Sequence, residues 1–298
     1  MGSPKRQNIS LENVDYIVKF LKTSGHHVFS VLGGEPTLHP QFMEICDRAL
    51  ENGMMVRVFS NGLMKREIQK YIFRRNIRLI LNVNAPEDTP KAHLKALNQV
   101  YENIGPNICP GYNIYKAEFD FSFIFELIEK HHMQREIRLG ISQPIVDSDN
   151  AYVAPVQYRT IGKKLVKLAR IADDRNIRLN FDCGFVLCMF NKVDVGHLIY
   201  ANTDVRFVCG PTIDIDPELN VWACFPLSSI KNRNLREFAD LKELVAYYDK
   251  VHSCYAQTGL LDRCGKCTFL KRKQCTGGCV SHKMKGLQGR QAIKVSLC

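Results

Sequence analysis

No stretch of these 298 residues approaches the roughly 18 consecutive apolar residues of a membrane-spanning helix. The N-terminal MGSPKRQNIS lacks the apolar core of a secretory leader. Both absences point to a cytoplasmic protein. Internal repeats and low-complexity segments are also missing, and 45% hydrophobic with 24% charged residues excludes a disordered or collagen-like chain. Cysteine is scarce at first: only Cys46 and Cys109 precede residue 183. Cys46 falls on the apolar face of a helical pattern, and both are read as buried small hydrophobes. Acid is missing at the other end, where Arg263 to Cys298 holds nine Lys or Arg and no Asp or Glu. The net charge of +11 admits nucleic acid or an acidic partner. With no nucleic-acid recognition motif in the chain, the acidic partner is the expectation.

What is present begins with alternation. Apolar residues at helical spacing (Leu11, Val14, Ile17, Val18, Leu21) follow Ser10 as an N-cap, and Gly25 closes that helix. Further helices are expected over 41–52, 65–75, 89–103, 121–132 and 158–173, and strands over 27–32, 55–59, 78–83, 109–116, 136–143 and 177–181. Strands alternating with helices of this length predict βαβ units on a parallel sheet, as a barrel or an open sheet. After residue 182 apolar runs shorten and cysteines take over, with one long helix expected over 235–252. The division expected is 1–182 and 183–298, the second part too irregular to be held by a core alone.

Ten of the twelve cysteines lie between Cys183 and Cys298. In a chain without an export signal, clustering favours metal or redox chemistry over disulfides. The sharpest pattern is Cys264-x2-Cys267-x7-Cys275-x3-Cys279, with Gly265, Gly277 and Gly278 allowing tight turns. Thiolates in such loops suit zinc or iron–sulfur clusters. Upstream, 212–216 and 221–223 read as a hairpin that sets Cys209 beside Cys224 at its open end. Cys183, Cys188, Cys254 and Cys298 remain as further ligands, so the total fits two centres.

A second signal lies at Gly33-Gly34-Glu35-Pro36-Thr37, after the first strand, where ligands bind in α/β folds. Ser60-Asn61-Gly62 ends the next strand and reads either as a plain loop or as part of the same site.

The Gly-Gly-Glu-Pro run resembles the motif of radical S-adenosylmethionine enzymes, and the C-terminal cysteines resemble their SPASM extension, which holds two auxiliary [4Fe–4S] clusters. The resemblance implies an α/β fold: a partial (β/α)6 TIM-like barrel over 1–182, lacking its first strand and so left with five, followed by a small cysteine-rich SPASM-type domain over 183–298. It implies S-adenosylmethionine contacts at Gly33, Gly34, Glu35, Pro36, Ser60 and Asn61. It implies a first auxiliary cluster on Cys209, Cys224, Cys279 and either Cys183 or Cys188, and a second on Cys264, Cys267, Cys275 and Cys298. The family glycine of the hairpin is Leu219 here, so a different turn is expected, and a family gap of five residues is seven here.

The implied activity is that of an oxidoreductase or maturase that modifies a peptide or protein side chain through a 5′-deoxyadenosyl radical. An acidic flavodoxin or ferredoxin would supply electrons. The family's Cys-x3-Cys-x2-Cys loop for the catalytic cluster does not occur in this sequence. As written, the chain is therefore expected to be inactive. A third cluster and S-adenosylmethionine belong to a full-length form, the chain being either a fragment or a degenerate relative. The other reading of the cysteines is a zinc-stabilised, non-catalytic binding module on an α/β scaffold. His26, His27, His131 and His132 read as surface residues, Tyr101, Tyr112 and Tyr115 as packing or interface residues, and Asp182 as a residue that could line the substrate cavity.

Overall fold

The Ser10 hydroxyl accepts the Asn13 N–H at 3.2 Å and starts α1 (Leu11–Thr23), which buries Val14, Ile17 and Val18 on one face. In this computed structural model residues 7–201, 203–230, 232–256 and 258–288 are described. Gly25, at φ 71°, turns the chain into β1 (Val28–Val31). Then come α2 (Phe42–Glu51), β2 (Met55–Ser60), α3 (Arg66–Arg74), β3 (Arg78–Asn82), α4 (Lys91–Ile104), β4 (Ile108–Ile114), α5 (Ser122–Lys130) and β5 (Glu136–Ile141). The series ends with α6 (Tyr158–Asp174), β6 (Arg178–Phe181), α7 (Lys192–Tyr200) and the two-residue β7 (Thr203–Asp204).

β1 to β7 make one parallel sheet in chain order. Parallel neighbours need crossovers, which the helices supply. The count of five strands is therefore corrected to seven: all six strands read from the pattern form, and β7 adds a short edge. Side chains alternate across each strand. On β2, Val56, Val58 and Ser60 are buried, while Arg57 and Phe59 face the other side. The sheet curls enough for Arg138 of β5 to lie over the Phe59 ring at 5.0 Å. That inner face is polar, unlike the branched aliphatic filling of a closed barrel. Cys46 and Cys109 are both fully buried, and burial pushes their thiols up to about 12 and about 11.

Beyond the parallel sheet, β8 (Asp214–Ile215), β9 (Asn220–Trp222) and β10 (Arg233–Asn234) form a small antiparallel sheet. Asp214 pairs with Trp222, which is the expected hairpin. At the turn of this hairpin Leu219 takes φ 67°, a left-handed conformation that glycine adopts freely, and buries its side chain completely. The helix expected over 235–252 divides. A short turn spans Leu235–Glu237, and α8 runs from Leu241 to Ala256. The break comes from Asp240, whose carboxylate accepts the Glu243 N–H at 2.7 Å while Glu243 accepts the Ala239 N–H at 2.7 Å, a reciprocal cap. α9 (Thr268–Lys271) and α10 (Val280–Gln288) complete the order.

The core does not stop at residue 182. Leu219, Val221, Leu244 and Tyr248 belong to the same buried cluster as the strand residues. Asn13 donates to the Pro217 carbonyl at 2.9 Å, and Leu241 N–H to the Ser24 hydroxyl at 2.9 Å, tying the small sheet and α8 to α1. No described helix is long and apolar enough to cross a membrane.

Candidate functional site

Strand ends in a parallel sheet leave backbone groups unpaired, so the loops after them are natural ligand sites. After β1, Gly33 sits at φ 144° with open space where a side chain would project. Glu35 follows and caps the turn Pro36–Leu38. Its carboxylate accepts from Thr37 N–H at 3.2 Å, Thr37 Oγ1 at 2.6 Å, Ser60 Oγ at 3.0 Å and Asn61 N–H at 2.8 Å. Ser60 Oγ in turn accepts the Gly62 N–H at 3.0 Å. Gly62, at φ 83°, passes so near α4 that an added Cβ would lie 2.4 Å from Leu97 Cδ2. Glu35 therefore joins the ends of β1 and β2. Its side chain is engaged by the protein, which leaves the Gly33–Gly34 backbone to meet a ligand.

The inner face below carries charge. Arg138 pairs with Asp182 at 2.6 Å, Arg78 pairs with Glu136, and Asn180 donates to Glu136 at 2.7 Å. Burial raises the Asp182 carboxyl, and Arg138 opposes that rise. Asp182 lies on the open inner face, beside Gly140 of β5, where a Cβ would be 3.5 Å from its Oδ2.

The thiols fall into two groups. In the first, Cys209 lies near Cys183 and Cys279, and Cys224 lies within electrostatic reach of Cys279 and Cys209. The hairpin returns the chain from Cys209 to Cys224. Cys279 is delivered by two cross-links: Thr276 N–H donates to the Phe207 carbonyl at 3.0 Å, and Cys209 N–H donates to Thr276 Oγ1 at 2.9 Å. Hydrogen bonding to Cys183 and burial raise the Cys209 thiol, and the Cys279 thiol lies well above its ordinary value.

In the second group, Cys188, Cys264, Cys267 and Cys275 line one cavity of about 540 Å³. Gly277 N–H donates to Cys275 Sγ at 3.3 Å, a donor of the kind that iron–sulfur ligands use. Cys298 lies outside the described residues. Among the described residues no three His, Cys, Asp or Glu side chains stand in a metal-ion arrangement. What the structure provides is soft donors gathered in two groups, the second of them lining a cavity roomy enough for a group larger than an ion.

Two residues here escaped the sequence reading. Gly259 packs so tightly that a Cβ would sit 1.8 Å from Cys264 Cβ. Lys283, on α10, is 3% exposed, and its ammonium lies within electrostatic reach of Cys209 and Cys279 of the first group and Cys275 and Cys264 of the second. Gly259 carries no local sequence signal. Lys283 reads as one more cation of a basic tail.

Gly33 follows β1, and Cys183 and Cys188 follow β6, so all three lie beyond the carboxyl ends of parallel strands of one sheet. Residues 1–104 match the radical SAM superfamily. No curated protein matches the chain. Among solved structures, Streptococcus suis SuiB bound to S-adenosylmethionine superimposes with a TM-score of 0.65 at 14% identity, covering 96% of this chain and 69% of SuiB. SuiB bound to its precursor peptide SuiA gives 0.62 at 14% identity, covering 96% and 68%. Native anSMEcpe with bound AdoMet gives 0.63 at 13% identity, covering 96% and 88%. Residues 1–104 of this chain thus resemble the radical SAM superfamily, and the chain as a whole has the fold of SuiB and anSMEcpe.

Proposed function

We propose that this chain is the greater part of a radical SAM enzyme that modifies a peptide or protein side chain and carries two auxiliary iron–sulfur clusters. The observation that carries this reading is the gathering of eight thiols in two groups in a chain that presents Gly33–Glu35 beyond a strand of its parallel sheet. SuiB, of the same fold, was crystallised with a precursor peptide, which supports a peptide substrate.

In this reading the Gly33–Gly34 backbone receives the cofactor's methionyl ammonium, and Glu35 holds that backbone by locking Thr37, Ser60 and Asn61. The substrate would enter the inner face, where Arg138 and Asp182 offer a paired charge to peptide polar groups. S-adenosylmethionine supplies the hydrogen-abstracting power when bound and reduced, and the protein supplies position and exclusion of water. Cys183, Cys209, Cys224 and Cys279 would hold one auxiliary cluster, and Cys264, Cys267 and Cys275 three corners of the other, which take up or pass on an electron.

Anaerobic reconstitution tests the reading. Iron and sulfide approaching about eight per chain, with absorbance near about 400 nm, are expected. A colourless, zinc-containing protein overturns it in favour of a structural zinc module. The 298 residues hold no Cys-x3-Cys-x2-Cys, so with dithionite and S-adenosylmethionine they are expected to release no 5′-deoxyadenosine.

A further inference from the structure

We infer that Cys188 is the fourth thiol of the second cluster site, in the place that the family pattern gives to Cys298; the inference rests on the two-cluster reading above. Cys183 and Cys188 both follow β6, yet the chain sends them to different groups. Cys183 reaches Cys209 in the first. Cys188 turns away on the short helix Leu187–Met189 and joins Cys264, Cys267 and Cys275 on the wall of the 540 Å³ cavity.

The turn that carries Cys188 is rigidly placed. α6 packs directly on it, and an added Cβ at Gly162 would lie 2.2 Å from the Met189 carbonyl oxygen. No side chain fits there, so helix and turn meet backbone to backbone. Gly259 permits the same close approach behind Cys264, which lines the same cavity.

Tyr158, at the start of α6, is 1% exposed and lines the same cavity, its hydroxyl beside the Gln143 side chain and with Cys188 and Cys279 both within electrostatic reach. Arg263, within hydrogen-bonding reach of Cys188, supplies a cation beside the thiolate that binding would create.

The test compares the reconstituted wild-type chain with Cys188→Ala and Cys298→Ala by iron and sulfide content and by electron paramagnetic resonance of the reduced clusters. Cys188→Ala is expected to lose up to about half of about eight irons, or to convert that half to a three-iron signal, and Cys298→Ala to keep both signals. A second arm needs no variant. Iodoacetamide is added to the native, loaded wild type, and modified thiols are located by mass spectrometry. Cys188 should be protected, and become alkylated once a chelator has removed the iron. Full iron content and unchanged spectra in Cys188→Ala, or alkylation of Cys188 in the loaded protein, overturn the assignment while leaving the two-cluster reading intact. A wild-type chain that takes up no iron overturns both.

Discussion

The Lys283 ammonium donates to the Thr276 carbonyl at 2.5 Å and to the Tyr255 carbonyl at 2.9 Å, and so stands buried between two groups of thiols. Burial lowers its affinity for a proton, while Cys209, Cys279, Cys275 and Cys264 raise it. Such a lysine is costly alone and useful beside thiolate-bound clusters. Lys283→Met would leave both carbonyls without their donor, for an expected loss of about 1–3 kcal/mol in the metal-free chain by urea denaturation. In the loaded protein, removal of a positive charge should shift the cluster potentials to more negative values, read by redox titration. Unchanged potentials would show that the ammonium only props up the loop.

The carboxylate of Glu35 is the common acceptor for Thr37, Ser60 and Asn61. Glu35→Gln removes the charge and turns one acceptor into a donor facing donors. Hydrogen bonds to a charged group contribute about 1.5–3 kcal/mol, and a stability loss of that order is expected. Ser60→Ala should cost much less in the Glu35→Gln background than in the wild type, because the two residues act through one contact. Additive losses would mean that the strand ends are not joined here.

Much of this architecture was readable from the chain, for physical reasons that differ by region. Where apolar residues recur at helical or strand spacing, as in α1 or β2, one face must be buried and the element follows. Ser10 and Gly25 marked their ends because only a few residue types do those jobs. The Asp240–Glu243 cap went unread, although Asp-x2-Glu before an apolar run is its signal, and it explains why α8 starts later than its periodicity suggested. The left-handed φ of Leu219 was not legible, because its residue type does not signal that conformation and its buried side chain packs into the core only once the chain is folded. The sorting of Cys183 from Cys188 was not legible at all. It depends on a turn between them and on Gly162, whose role appears only when α6 is packed.

Gly259 gives the next prediction. An added methyl group would overlap Cys264 Cβ at 1.8 Å, and neither partner is the end of a flexible side chain. Gly259→Ala should therefore displace the backbone that carries Cys264, at a cost of about 1–3 kcal/mol. Iron bound by the second group should fall while the first group keeps its share. Gly265→Ala is the control, since nothing lies within 4 Å of its added Cβ. Equal iron content in the two variants would show that the close contact is dispensable.

The last prediction concerns the loop Lys271-Arg272-Lys273, inside the seven-residue gap between Cys267 and Cys275. α9 ends at Lys271, Lys273 takes φ 57°, and all three side chains are exposed. Three adjacent cations resist burial, so exposure alone is what a solvated loop would show. Their position says more, because the same short segment carries cavity-lining cysteines at both ends. An acidic donor docked on the loop would stand next to the second cluster site. Electrostatic attraction would speed that encounter and fade as salt rises, since screening shortens to about 8 Å at physiological ionic strength. In stopped flow with a reduced acidic flavodoxin, replacing Lys271, Arg272 and Lys273 together by Ser should slow cluster reduction at low salt and flatten its dependence on salt. Cluster content and stability should stay as they were, because exposed substitutions of this kind change stability by no more than about 0.5 kcal/mol. Rates that match the wild type at every salt concentration would remove the loop from any account of how electrons arrive.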